Sequence, residues 1–171
     1  MRLMIALFAF AALSFGQQPD LKTIPGSTYG LFQLSSNFVL RAAEKMPEEH
    51  YSFKPVDTVR SFGELVAHVG DSQYFFCGPV NADGKKSPGI EKTAKTKAAI
   101  IAGLKEAFAY CDMAYKQTTD ANAATPVSFM RGERARVGVL NFNSVHIYEH
   151  YGNLVTYMRM KGLVPPSSEG R

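Results

Sequence analysis

Tryptophan is absent from this sequence, and beyond the first residues so is any run apolar and long enough to cross a membrane, which takes roughly 20 residues. Strand-like alternation of apolar and polar residues is scarce, which argues against a sheet-built fold. There is no low-complexity tract and no internal repeat, and the 171 residues suit one domain. Charge of one sign is also in short supply. The 19 Lys and Arg against 15 Asp and Glu give a formal net charge of +4, too small an excess to imply a nucleic-acid partner. The one basic cluster, Lys85, Lys86, Lys92, Lys95 and Lys97, reads as the solvated start of a helix.

What is present begins with "MRLMIALFAFAALSFG". Arg2 precedes an apolar run from Leu3 to Leu13, and Ser14 and Gly16 are small residues at the −3 and −1 positions of a cut before Gln17. This is a signal-peptide pattern over residues 1–16, against the alternative of a buried N-terminal helix. No cysteine stands near the cut, so no lipid anchor is expected. The reading is therefore an exported protein, periplasmic or secreted, with no membrane association after the signal is removed. Residues 17–27 form an extension and residues 28–168 the domain, long enough to bury a sizeable core.

Four segments carry helical periodicity. The first is expected from about Thr28 to Met46, with Leu31, Leu34, Phe38 and Ala42 as its buried stripe and Pro47 as its stop. The second opens at Ser61 and Glu64, which have the spacing of a capping box. Phe62, Leu65, Val69 and Phe76 are its stripe, and Gly78–Pro79 its expected end. The loop "GPVNADGKKSPGI" leads to the third, where Ile101, Leu104, Phe108, Cys111 and Tyr115 recur at helical steps. A second loop, "TTDANAATPVSFM", precedes the fourth, expected from about Glu133 to Lys161. Gly162 supplies its stop, and Pro165 and Pro166 bar continuation. Four amphipathic helices in this length predict an all-α four-helix bundle, and the long connection between helices 2 and 3 permits a crossover.

The fourth segment carries two neighbouring stripes. Ile147, Tyr151, Leu154 and Met158 should face the core, while His146, His150, Asn153 and Tyr157 recur at the same steps, rotated by about 100°. Imidazoles at i and i+4, roughly 5–6 Å apart, can share one metal ion. Of the other two histidines, His68 sits mid-helix in "ELVAHVGD" and is the expected third ligand, whereas His50, in the polar turn "PEEHY", is not. Alone, a mid-helix histidine is more often a hydrogen-bonded structural residue; the pair on another helix changes that reading. The string from His146 through Glu149 to His150 also matches the inverted zinc-peptidase motif, in which the glutamate is the general base. That reading is rejected, because such enzymes need an acidic ligand well downstream and Glu169, in the tail, is the only carboxylate after His150.

Together these residues resemble the DinB/YfiT-like metalloenzyme family. The resemblance runs from about Thr28 to Ser168 and is strongest in "MPEEHYSFKP", "VRSFGELVAHV" and "HIYEHYGNLVTYMRMKGLVPPSS". The family has one histidine on the second helix and an H-x-x-x-H pair on the fourth, which fall here on His68, His146 and His150. Gly152 and Asn153 stand where the family often has a glycine and a glutamine or similar amide. The resemblance implies a four-helix bundle with a long crossover, a divalent metal ion such as zinc or nickel, and often a homodimer. It fixes no reaction. Some relatives transfer small thiols to electrophiles or isomerise thiol adducts, and export argues against a thiol cofactor here.

Three neutral histidines leave a divalent ion at least one open position, where it can acidify a water, polarise a carbonyl or activate a thiol. The expected function is metal-dependent hydrolysis or group transfer on a small molecule. The alternative is a non-catalytic metal-binding or stress-related binding protein. Asn153 and Tyr157 are candidates for orienting a ligand, or interior polar residues bonded to other helices. Glu149, about 60° from His146 around the helix, is a candidate base or a surface ion-pair partner. Asp71 and Glu64, near His68 in sequence, are candidate acceptors for its ring N–H. Ligand histidines must be neutral, so binding should weaken in acid, an ordinary histidine titrating near about 6.5. Finally, two cysteines in an exported protein invite a disulfide between Cys77 and Cys111, with two buried free thiols as the alternative. The family's crossover, by making helices 2 and 3 parallel, would bring both to one end of the bundle. Cys77 lies about 13 Å along the helix from His68, too far to share its ion.

Overall fold

Three of the four long helices start where a side chain takes free N–H groups of the first turn. Thr23 accepts from Gly26 N, Ser61 and Glu64 exchange bonds in a capping box, and Thr96 accepts from Ala99 N. These residues open α1 (Ile24–Lys45), α2 (Phe62–Asn81) and, after the single-turn α3 (Ile90–Thr93), α4 (Lys97–Lys116). A hairpin of β1 (Pro126–Phe129) and β2 (Gly132–Ala135) then runs directly into α5 (Arg136–Met160). That helix has no side-chain cap; the carbonyls of Thr125 and Ala123 accept from Arg136 N and Val137 N instead. The computed structural model describes residues 19–170, so the expected signal peptide lies outside the described residues. No helix among the described residues is long and apolar enough to cross a membrane.

The fold is the expected all-α bundle with its crossover between α2 and α4. These two run parallel: Gly63 lies beside Ile100, Gly70 beside Leu104 and Cys77 beside Cys111. Helices α1 and α5 are parallel as well, with Thr28 bonded to Asn141 and Phe38 stacked on Tyr151. The two pairs are antiparallel to each other, Gln73 of α2 meeting Asn143 of α5 and Phe32 of α1 meeting Phe108 of α4. Phe62, Leu104, Leu140, Ile147, Leu154 and Met158 fill the centre, fully buried. Lys97, one of the basic cluster, closes the end of α1 by donating to the carbonyls of Glu44 and Met46.

Four expectations need correction. The buried stripe of α1 is Tyr29, Phe32, Ser35, Val39 and Ala42; Leu31 and Leu34 are about half exposed, one position off the true seam. Pro79 does not end α2, which continues to Asn81 and closes on Ala82 in the left-handed region, φ 55°. Pro79 forfeits only the bond to the carbonyl of Phe75, a residue on the exposed side of the last turns. The crossover holds the turn α3 rather than an uninterrupted loop. The second loop ends in the hairpin, so Glu133 belongs to β2 and α5 starts at Arg136.

A polar layer crosses the core where the cysteines meet. Asn143 donates to Gln73 Oε1 at 3.0 Å and to Cys111 Sγ at 3.2 Å, all three residues fully buried. Cys77 and Cys111 are at disulfide distance, their Cα atoms 5.3 Å apart.

Candidate metal centre

One turn beyond that polar layer, α5 delivers His146 and then His150 toward α2, where His68 faces them. The three imidazoles gather so that one ligand atom from each lies within 4.8 Å of the others, and no other His, Cys, Asp or Glu among the described residues joins the group. Nε2 of His146 and Nε2 of His150 are 3.0 Å apart. His50, on the short turn Glu48–His50, stays outside the cluster. The sequence-predicted ligand set is thus brought together by two antiparallel helices.

The donor set fits a divalent cation. Burial is the main cause that lowers the pKa of all three rings, holding them neutral with a lone pair to give. His146 is pushed down to about 4, by burial first and then by the neighbouring His150 and Arg60, with Glu149 opposing. Nδ1 of His146 and of His150 are buried without a hydrogen-bond partner among the described residues, and their Nε2 atoms converge. These three residues could hold a metal ion.

Behind His68 stands a residue that the sequence reading missed. Nδ1 of His68 lies 3.6 Å from Oε2 of Glu91, the second residue of α3, which also accepts from Arg60 Nε at 2.9 Å. Its carboxylate, beyond hydrogen-bond distance, faces Nδ1 as a negative neighbour that opposes the lowering of the ring's pKa. Neither expected acceptor does this. Glu64 is engaged in its capping box and beside Lys54. Asp71 instead accepts from Ile90 N and Glu91 N at 2.7 and 3.0 Å, and from Ser87. It thereby anchors the turn that carries Glu91. Ile90 completes the anchor, its side chain seated where a Cβ on Gly70 or Gly103 would stand 2.8 or 3.1 Å away.

The other wall is aromatic. Phe76 lies against His146, ring centroids 5.2 Å apart, and the hairpin's Phe129 packs on Phe76. On the open side, a cavity of about 710 Å³ is bordered by His150, Asn153, Tyr157, Arg60, Glu91 and the segment around Lys54 to Val59. Asn153 is exposed in that wall. Tyr157 is buried and donates its hydroxyl to the carbonyl of Arg60 at 2.9 Å, so its polar tip is already committed to the scaffold. Glu149 is exposed and does not border the cavity.

Comparison with known proteins places this architecture. Over 130 residues the chain is 28% identical to the uncharacterized protein YjoA of Bacillus subtilis (strain 168), covering 74% of this chain and 83% of that one. The crystal structure of that DinB-like YjoA superposes with a TM-score of 0.67 at 25% identity, over 85% of this chain and 99% of that one. A DinB-like protein from Bacillus cereus ATCC 10987 gives a TM-score of 0.71 at 14% identity, over 81% and 93%. The fold is also similar to that of a mycothiol-dependent maleylpyruvate isomerase, with a TM-score of 0.63 at 14% identity, over 81% of this chain and 63% of that one. The family model of the DinB superfamily matches residues 32–154, and this chain belongs to that superfamily.

Proposed function

We propose that this protein holds a divalent ion, zinc or nickel, through His68, His146 and His150, and that it is an exported metal-dependent enzyme acting on a small molecule by hydrolysis or group transfer. The observation that carries the reading is the convergence of three neutral imidazoles beside a cavity whose volume, about 710 Å³, is that of a small-molecule site. A purely structural ion would favour a fourth protein ligand, and none joins the cluster among the described residues. The likeness in fold to a mycothiol-dependent isomerase supports a catalytic use of the scaffold.

Held by the three histidines, the ion would supply Lewis-acid chemistry. The chain's own residues do the rest. Glu91 stands as a negative neighbour beside His68, Phe76 and the hairpin pack against His146, and Asn153 and Arg60 border the cavity that a ligand would enter. Elemental analysis of the wild type and His150→Ala, prepared alike, tests the site; about one ion per wild-type chain and a loss in the variant are expected. Equal metal content in both would overturn the assignment. Screening the metal-loaded protein against small esters, amides and electrophiles then tests catalysis.

A further inference from the structure

Arg60 immediately precedes the N-cap of α2, and its main chain is fixed from across the site by the Tyr157 hydroxyl. Its guanidinium is fixed as well, Nε donating to Glu91. That bond uses one of five N–H donors, and the two terminal nitrogens make no hydrogen bond to any described residue. Arg60 borders the same cavity as His150 and Asn153, with its side chain partly exposed. Its charge reaches all three rings, lowering the pKa of each. The other cation of the wall, Lys54, is paired with Glu64 at 3.4 Å, while Asp57 is a further carboxylate there. Arg60 is therefore the cation held in place with its two-pronged donor uncommitted.

We propose that Arg60 receives a carboxylate of the substrate while another part of the same molecule reaches the ion on the three histidines. A neutral ligand would leave the two free nitrogens to water. A carboxylate matches the fork bidentately, and the preset guanidinium loses little freedom in binding it. The class of ligand is thus a small molecule with a carboxylate at one end and the reacting group at the other. This inference rests on the metal-centre reading above.

The test uses two probes of equal size, succinic acid monohydroxamate and its primary amide. Both can chelate the ion through the hydroxamate, and they differ only in the charge at the far end. Each is titrated by calorimetry into zinc-loaded wild type, Arg60→Gln and Arg60→Lys, with zinc content measured in all three. In the wild type the carboxylated probe should bind roughly tenfold tighter than the amide. Arg60→Gln should abolish that preference, and Arg60→Lys should retain only part of it. Equal affinities in the wild type, or a preference surviving in Arg60→Gln, would overturn the carboxylate assignment and leave the metal centre standing. Zinc-loaded wild type that bound neither probe would overturn the inference alone, whereas a wild type that took up no zinc would overturn the metal centre, and the inference with it.

Discussion

His146 is the most strongly perturbed of the three rings, pinned between Phe76 and His150 with its pKa down to about 4 against an ordinary 6.5. The sign of the consequence is fixed by proton counting. Between those two values the unfolded chain binds more protons than the metal-free folded one, so stability falls as pH drops through this window. His68 and His150, also lowered, act in the same direction. Thermal midpoints of metal-free protein should therefore decline from about pH 6.5 toward about pH 4. The decline should be shallower in His146→Gln; identical pH dependence in the two proteins would contradict the assigned shift. The same lowering revises the expectation drawn from an ordinary histidine. Proton competition for the ion begins below the range of an ordinary histidine, because all three rings are lowered.

The element that turns the histidine cluster into a supported site is the crossover between α2 and α4. Its single turn α3 is held by Asp71 at its backbone and by Ile90 against two glycines, and so delivers Glu91 to His68. Glu91→Ala should lower metal affinity by up to roughly tenfold, and Glu91→Gln, which removes the same charge, should lower it too. Asp71→Ala should act in the same direction without touching a ring, because it frees the turn; unchanged zinc affinity in both alanine variants, measured by competition with a chelator, would sink this role. The His146–His150 pair was legible because i,i+4 spacing is a local property of one helix, and the stripe of α5 and the capping box of α2 are local in the same way. Glu91 was not, since its relation to His68 exists only once the crossover has folded back across 23 positions of sequence. The stripe of α1 was misplaced because Leu31 and Leu34 alternate with Phe32 and Ser35, and only the facing helices decide which set is covered. The hairpin left little pattern: β2 is exposed throughout, and Met130 adopts φ 56° at the turn where glycine or asparagine would have signalled it.

At the scale of the whole molecule, the parallel run of α2 and α4 is what brings Cys77 and Cys111 together, as the crossover topology implied. A bond between them closes a span of 34 residues that contains the entire crossover. In the chain-entropy model such a loop stabilises by about 3–4 kcal/mol, acting through the unfolded state. Both cysteines are fully buried, so a reductant should reach them only when the bundle opens. Labelling of denatured, unreduced protein should therefore find no free thiol, and two labelled thiols per chain would mean that the bond does not form. Cys77→Ala together with Cys111→Ala should lower the unfolding free energy by about that amount in a denaturant titration. Zinc stoichiometry should survive wherever the variant remains folded, because the three histidines project from α2 and α5 and the covalent tie joins α2 to α4. Loss of zinc from a still-folded double variant would instead show that the tie also sets the position of His68, through the crossover it encloses.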